Sequence, residues 1–216
     1  MTEAKQRFPN PWSSNPMAQK LIEHLFALKD RRIIATPGAP GAGKSALSDY
    51  QATALNLHRP EFCAVVPMDG FHFDDAVLCA RGTRARKGAP FTFDVGGMAA
   101  VLGRLKQNTE AEIAVTELDH KLVTSRAGGR LISKDTALLL VEGNDLPLDQ
   151  QPWAALRPIY DLTVFLHVLL AGLEKRLVQR WMVYGLGRSP PENTRLIMIL
   201  GMPSWLRARA WLPISR

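Results

Sequence analysis

The chain has 216 residues, 46% hydrophobic and 22% charged, a length and composition that argue against a repeat array, a disordered tail or a short disulfide scaffold. Its 27 basic and 20 acidic side chains give a formal net charge of +7, which favours anionic partners without distinguishing nucleotides, nucleic acids and phosphorylated metabolites. Cys63 and Cys79 are not spaced as a metal-binding pair, so a zinc knuckle is excluded and a reducing compartment is favoured.

The N-terminal region is predicted to begin with a helix. The first twelve residues, MTEAKQRFPNPW, contain no apolar core of the kind found in signal peptides, and no apolar run approaches the roughly 20 residues that span a bilayer. We therefore expect a cytoplasmic protein with no membrane partner. A helix is predicted at about residues 16–29, because Asn15 can cap it and Pro16 suits its first turn.

The most specific motif is a phosphate-binding loop. A predicted strand at 31–36 leads into GAPGAGKS, which matches GxxxxGK[ST] at every constrained position, and a predicted helix follows at 46–57. Small residues let successive backbone N–H groups surround a phosphate, and the alternative, an accidental glycine-rich turn, does not explain the flanking elements. Lys44 can reach the β- and γ-phosphates, and the Ser45 hydroxyl can ligate Mg²⁺. The predicted nucleotide-binding residues are Gly38, Ala39, Pro40, Gly41, Ala42, Gly43, Lys44, Ser45 and Ala46.

Two acidic residues follow apolar strands. A predicted strand at 62–67 precedes MDGFHF, and an aliphatic strand at 137–141 precedes EGN. Ligands bind outside the carboxyl ends of parallel strands, so Asp69 is placed to accept a proton from a hydroxyl that attacks the γ-phosphorus. Glu142 is placed to hold a water of the Mg²⁺ shell. The alternatives are an Asp-Gly turn for Asp69 and a turn cap for Glu142.

Basic residues recur in two later segments. Residues 81–87, RGTRARK, form a charged loop that could hold an anionic substrate or gate the site, or could be an exposed flexible loop. A predicted strand at 162–166 leads into a helix at about 172–184, on which Arg176 and Arg180 lie one turn apart. Two guanidiniums on one flank suit triphosphate oxygens, and a solvated pair forming surface ion pairs is the alternative.

Polar residues also follow a further predicted strand at 112–116. Asp119 and Arg126 then lie just past its end, in a position typical of substrate contacts. Of the five histidines, only His72 and His120 lie beside motif residues. These positions supply the candidate contacts to an acceptor.

The order of these segments matches a known family. GAPGAGKS, PMDGFHF, ARGTRARKGAPFTFD, LLLVEGN, DLTVFLHV and RLVQRW together resemble the uridine kinase, pantothenate kinase and phosphoribulokinase group of P-loop kinases, and most closely its bacterial fructose transport system kinases. The resemblance covers residues 18–185 and implies ATP and Mg²⁺ as cofactors. It implies Asp69 as the catalytic base, Glu142 near the metal, and Arg176 and Arg180 as lid arginines that close over the phosphates.

The resemblance also suggests where the acceptor binds. KGAPFTFD looks like the group's KGxPExFD element, which lines the acceptor pocket, although Phe91 and Thr92 stand where an acid is usual. Asp119, with Ser125 and Arg126, is similar to the substrate-contacting Asp and Ser-Arg of the uridine kinases, with the spacing off by one residue. The predicted substrate contacts are Asp69, Phe71, His72, Arg84, Lys87, Phe93, Asp119 and Arg126.

The sequence therefore predicts a single α/β kinase domain over residues 1–216, with a three-layer P-loop NTPase fold, a mainly parallel sheet and a small lid at about residues 184–195. The predicted function is transfer of the ATP γ-phosphoryl group to a hydroxyl of a small metabolite, a sugar or nucleoside-like acceptor, with Lys44 and the two lid arginines stabilising charge. The alternative is an ATP-dependent regulatory NTPase or nucleotide-binding module without metabolic kinase activity.

The expected partner is the small-molecule acceptor. A homodimer is an alternative to a monomer. NKxD and LSGGQ are absent, which argues against GTPases and ABC-type ATPases, and no helix-turn-helix or interleaving of aromatic and basic residues supports nucleic-acid binding. We therefore expect no nucleic-acid partner.

Overall fold

The structure, a computed structural model, describes residues 12–119, 121–168 and 172–173. The chain divides into two compact units, the first formed by Met1–Pro37 with Ser45–Val164 and the second by Gly38–Lys44 with Phe165–Arg216. Among the described residues, the first unit contains both sheets, and the second contains the loop that follows the first strand. The predicted single domain over 1–216 stays a prediction.

The described elements alternate between helices and strands. The helices are α1 (Pro16–Phe26), α2 (Lys44–His58), α3 (Asp75–Ala80) and α4 (Val95–Gln107). The strands are β1 (Arg32–Pro37), β2 (Cys63–Pro67), β3 (Glu112–Asp119), β4 (Thr124–Ser133), β5 (Leu138–Gly143) and β6 (Leu162–Thr163). Short 3-10 helices span Met68–Phe71, Arg84–Arg86, Pro90–Thr92 and Trp153–Ile159.

A four-stranded parallel sheet forms the centre of the first unit. Its strand order is β2-β5-β1-β6, and every residue of β5 is buried, as is typical of a parallel sheet covered on both faces. Glu142 in β5 lies opposite Thr36 in β1 and Pro67 in β2. The carboxyl ends of these three strands therefore meet at one end of the sheet, where ligands bind in α/β folds. The predicted α/β class with a mainly parallel sheet is confirmed.

One face of this sheet is covered by α1 and α2. Asn15 caps α1 as predicted, because its Oδ1 accepts hydrogen bonds from the backbone N–H groups of Met17 and Ala18 at 2.9 and 3.2 Å. The helix ends at Phe26 rather than residue 29, since the Leu28 N–H bonds to the Leu25 carbonyl and tightens the last turn. The buried core on this face consists of Leu25, Ile34, Leu55, Phe62, Cys63, Val65, Leu138 and Leu140.

A second, antiparallel sheet was only half predicted. β3 continues to Asp119 instead of ending at residue 116, and β4 pairs with it as a hairpin. The prediction that Asp119 and Arg126 both lie just past the end of one strand is wrong. Asp119 ends β3 and Arg126 lies within β4, opposite Glu117. The turn was missed because it contains none of the usual turn residues, and Val123 itself adopts the left-handed φ of 54°.

Gly70, three residues after the end of β2, lies against the backbone of β3. A Cβ at this position would overlap the backbone carbonyl of Thr116. We expect Gly70→Ala to lower the free energy of unfolding by about 1–3 kcal/mol, the usual cost of overpacking. Gly103→Ala in α4 is the matched control, because nothing lies within 4 Å of its Cβ position. Alanine there should stabilise the helix by about 0.5–1 kcal/mol. Urea denaturation measures both, and a Gly70→Ala variant at least as stable as the parent would contradict the close approach.

Most of the elements predicted near the C-terminus lie outside the described residues. Residues 172 and 173 are helical, but the rest of the helix predicted at 172–184, with Arg176 and Arg180, lies outside the described residues. The lid predicted at 184–195 and His120 also lie outside them. Across residues 12–119, 121–168 and 172–173, no helix is both long and apolar enough to cross a membrane.

Candidate active site

The phosphate loop belongs to the second unit. Gly41 and Gly43 have φ angles of 78° and 94°, in the left-handed region that glycine adopts at no steric cost. A Cβ on Gly38 would lie 2.8 Å from the carbonyl oxygen of Leu166, so this position also requires glycine. Ala39 and Ala42 are buried in one apolar cluster. The backbone therefore requires small residues at the positions where the motif predicts them.

The Lys44 side chain folds back over this loop. It is 8% exposed, and its Nζ donates a hydrogen bond to the carbonyl oxygen of Ala39 at 3.1 Å. A buried ammonium needs hydrogen-bond acceptors. Its position over the loop fits the predicted pairing with phosphate oxygens, which are stronger acceptors than a carbonyl.

Ser45 and Glu142 form a hydroxyl–carboxylate pair in the first unit. The Ser45 Oγ donates to Glu142 Oε1 at 3.1 Å. Glu142 is 7% exposed and lies inside β5, one residue before the strand ends, rather than after the strand as predicted. Mg²⁺ prefers oxygen ligands and is usually held by one or two carboxylates together with substrate phosphates and water. This pair therefore fits a magnesium site.

Ser45 and Glu142 supply only two oxygen ligands for a magnesium ion. Within the part of the chain that the structure describes, no group of three or more His, Cys, Asp and Glu side chains could hold a metal ion. A site with one hydroxyl and one carboxylate is typical of Mg²⁺ bound together with nucleotide phosphates and water.

Replacing Glu142 should therefore weaken the binding of the metal that accompanies the nucleotide. We expect Glu142→Gln to raise the Mg²⁺ concentration that half-saturates binding of a fluorescent ATP analogue by about tenfold or more, the scale seen when groups that support a metal are removed. Glu112→Gln, at an exposed position at the start of β3, is the control. An identical Mg²⁺ titration for the Glu142 variant and its parent would rule out the metal role.

Asp69 lies at the same end of the sheet. It follows β2 by two residues in the 3-10 helix Met68–Phe71, and the last residue of β2, Pro67, pairs with Glu142. The Asp69 side chain is half-buried. Among the described residues no hydrogen bond or ion pair engages its carboxylate, which is therefore available to accept a proton.

An aromatic stack fixes the residues that follow Asp69. The His72 ring lies over the Phe93 ring, with centroids 4.0 Å apart and planes at 25°, and the edge of Trp153 contacts Phe93 at 5.6 Å. Phe71 and Phe93 are each 5% exposed, so these two predicted substrate contacts are mostly buried. Burial lowers the pKa of His72, while the nearby Asp69 carboxylate opposes this effect. The imidazole is therefore held in place and uncharged at neutral pH.

The basic segment at 81–87 is ordered by a residue that the sequence analysis did not single out. Asp75, the first residue of α3, accepts hydrogen bonds from Arg84 Nε and Lys87 Nζ, both at 2.6 Å. The Arg81 guanidinium lies over the Phe73 ring, 4.4 Å from its centroid. The segment contains a 3-10 helix over Arg84–Arg86 and is mostly exposed.

Asp119 and Arg126 lie close together, and the contacts that they make among the described residues are within the hairpin. The Asp119 carboxylate accepts hydrogen bonds from the N–H groups of Lys121 and Leu122 at 3.0 and 3.1 Å, which closes the hairpin turn. These bonds lower the pKa of Asp119, and the bond from Leu122 has the largest effect. Arg126 Nε lies 3.7 Å from Asp119 Oδ2, and its side chain is 59% exposed.

Arg130 is a further residue of this region that was not among the predicted site residues. Its guanidinium donates to the Val65 carbonyl at 2.7 Å and to Glu117 Oε1 at 2.6 Å. These bonds attach the hairpin to β2, the strand that positions Asp69. In the sequence, the alternation of side chains along β4 could have assigned Arg130 to one face of the hairpin. That assignment requires the hairpin register, which the sequence does not supply.

Comparison with known proteins identifies several kinases. No protein-family model matches the chain. The chain is 30% identical over 189 residues to "Putative uridine kinase C227.14" of Schizosaccharomyces pombe. The aligned residues cover 85% of this chain and 80% of that protein. It is 27% identical over 154 residues to the pantothenate kinase of Sorangium cellulosum. That alignment covers 69% of this chain and 49% of the pantothenate kinase.

A solved structure is similar over almost the whole chain. The crystal structure of the "putative fructose transport system kinase" from Silicibacter sp. TM1040 superposes with a TM-score of 0.74 and 35% sequence identity. The superposition covers 91% of this chain and 94% of that one. The likeness therefore includes both the sheet and the elements around it.

Proposed function

This chain belongs to the uridine and pantothenate kinase group of P-loop kinases, and we propose that it transfers the γ-phosphoryl group of ATP to a hydroxyl of a sugar or nucleoside-like metabolite. Membership of the group supports the reaction class without naming the acceptor: ATP-dependent phosphotransfer to an alcohol group of a small molecule. The observation that carries the proposal is the position of the Asp69 carboxylate, which no described residue engages, at the same end of the sheet as the Ser45–Glu142 pair.

The proposed chemistry assigns separate tasks to the site residues. When bound, ATP with Mg²⁺ supplies the phosphoryl group and offsets part of the phosphate charge. Asp69 accepts the proton of the acceptor hydroxyl while the hydroxyl oxygen bonds to phosphorus and the bond to ADP breaks. Lys44 stabilises charge on the phosphate oxygens, and Ser45 with Glu142 holds the metal. Arg176 and Arg180 are proposed to close over the phosphates.

Nucleotide and acceptor contacts are proposed at the positions that the sequence predicts. Residues 38–46 hold the nucleotide, and Asp69 and His72 meet the acceptor. The Nδ1 atom of His72 is buried and has no hydrogen-bond partner among the described residues, so a contact with the acceptor has to involve the rest of the ring. Phe71 and Phe93, being buried, support this surface from behind.

A turnover screen tests the proposal. Purified protein with ATP and Mg²⁺ is incubated with sugars, nucleosides and pantothenate-like alcohols, and ADP formation is recorded. We expect ADP formation to depend on one class of sugar or nucleoside. ADP release that no acceptor stimulates would instead favour a regulatory NTPase.

We also propose a single domain over 1–216 with a lid at 184–195. A cytoplasmic location, the absence of a nucleic-acid partner, and a monomer or homodimer remain predictions. Gel filtration with and without an ATP analogue tests the oligomeric state.

A further inference from the structure

We propose that Arg130 is a positioning residue for Asp69, because its guanidinium ties the β3–β4 hairpin to the strand that leads into Asp69. This inference rests on the proposed function, in which Asp69 is the base, and adds a residue that acts on the reaction through the backbone of Asp69. It gives the hairpin a task beside the acceptor contacts predicted on it.

The Arg130 guanidinium bridges the hairpin and β2. Its Nη1 donates to the Val65 carbonyl at 2.7 Å, and its Nη2 donates to Glu117 Oε1 at 2.6 Å. β2 stands at one end of the strand order β2-β5-β1-β6, and carbonyls at the edge of a sheet need partners outside it. Hydrogen bonds from a charged donor are stronger than neutral ones. The Arg130 and Glu117 side chains are 36% and 31% exposed, so water weakens the pair only in part.

A bulge in the hairpin places Arg130 at this point. The register shifts just before it, so that Thr116 of β3 lies opposite residues 127–129 of β4. A bulge bends its strand and redirects the side chains beside it. A Cβ on Gly129 would lie 2.6 Å from the Cβ of Glu117, so glycine at this position allows the close approach of the two strands. The bulge and the glycine together bring the carboxylate and the guanidinium side by side.

The hairpin contacts the chain on both sides of Asp69. Arg130 holds the carbonyl of Val65 before it. After it, the backbone of β3 lies against Gly70, and a hydroxyl of β4 donates to the His72 carbonyl at 3.1 Å. A base has to stay within hydrogen-bond reach of the hydroxyl that it deprotonates, and a displacement of about 1 Å can cost about 100-fold in rate. Loss of the first attachment should therefore slow turnover.

Arg130→Gln removes the bridge and tests the proposal. We expect kcat with the acceptor identified by the screen to fall by about tenfold or more, since a misplaced base slows the chemical step. The affinity for an ATP analogue and the Mg²⁺ requirement should keep their parental values. Arg104→Gln is the matched control, because Arg104 forms a similar pair with Glu110 at 2.5 Å and is 45% exposed; its kcat should be unchanged. A folded Arg130→Gln protein with parental kcat, or with an equal loss of nucleotide affinity, would overturn the inference.

Two further variants separate the bridge from the charge. Arg130→Lys keeps the positive charge but loses the planar fork that reaches both partners, so it should not restore the parental kcat. Full recovery by lysine would overturn the inference. Glu117→Gln is a milder change that removes the carboxylate partner, and it should lower kcat in the same direction. Because the two residues act as one bridge, adding Glu117→Gln to Arg130→Gln should cause no further loss, and additive losses would contradict the proposal.

Amide exchange tests the attachment without relying on turnover. In Arg130→Gln, the amides of residues 63–72 should exchange faster than in the parent and in Arg104→Gln, because this segment has lost a contact that holds it. Unchanged exchange there would overturn the inference. An active parent with an unaffected Arg130→Gln variant would remove this inference alone. A parent that no acceptor stimulates would remove the proposed function and the inference with it.

Discussion

Asp69→Asn is expected to lower kcat by about 100-fold or more, the usual contribution of a general base, while ATP binding stays intact. Asparagine is nearly isosteric with aspartate but cannot take up the proton of the acceptor hydroxyl. A base acts on the transition state rather than on nucleotide affinity, so the loss should appear in turnover at saturating ATP. Steady-state kinetics with the acceptor identified by the screen, together with binding of an ATP analogue, measure both quantities.

The result also separates Asp69 from Glu142. Asp149→Asn, at an exposed position, is the control for the change of charge. If Asp69→Asn shifted the Mg²⁺ requirement and kept saturated turnover, Asp69 would be the metal residue and the two roles would be reversed.

Lys44→Ala is expected to reduce turnover by at least about 100-fold or to weaken ATP·Mg²⁺ binding on the same scale, as when a preorganised charge is removed from a transition state. The ammonium lies over the phosphate loop and is 8% exposed, so water cannot fully replace it. Isothermal calorimetry with an ATP analogue separates loss of binding from loss of turnover.

Lys20→Ala provides the matched control for Lys44→Ala. Lys20 is exposed on α1, where alanine preserves the helix. A folded Lys44→Ala protein, verified by circular dichroism, with unchanged affinity and turnover would show that the loop does not bind the phosphates as proposed.

The sequence predicted the parts of the fold that depend on local chemistry. The phosphate loop needs glycine at fixed positions, and the φ angles of Gly41 and Gly43 show why. The strand that precedes Asp69 and the strand that contains Glu142 are mostly apolar runs, as a buried parallel sheet requires. Both acids could therefore be assigned to one end of the sheet from the order of the apolar runs alone.

Other features depend on contacts between distant residues. The β3–β4 turn has no glycine or proline, and Val123 adopts the left-handed conformation that sequence patterns assign to glycine or asparagine. α4 contains three glycines, which lower its helix propensity, so its sequence pattern did not indicate a helix. Asp75 resembles an ordinary surface acid in the sequence, because its pairing with Lys87 arises only after the chain turns back.

Identification of the reaction product tests the central claim most directly. The protein is incubated with ATP labelled at the γ-phosphate, Mg²⁺ and the acceptor that stimulates turnover, and the products are separated and analysed by mass spectrometry. We predict that the label appears in a phosphate ester of the acceptor, and that Lys44→Ala abolishes this product. Label recovered only as inorganic phosphate, with every acceptor unchanged, would contradict the account.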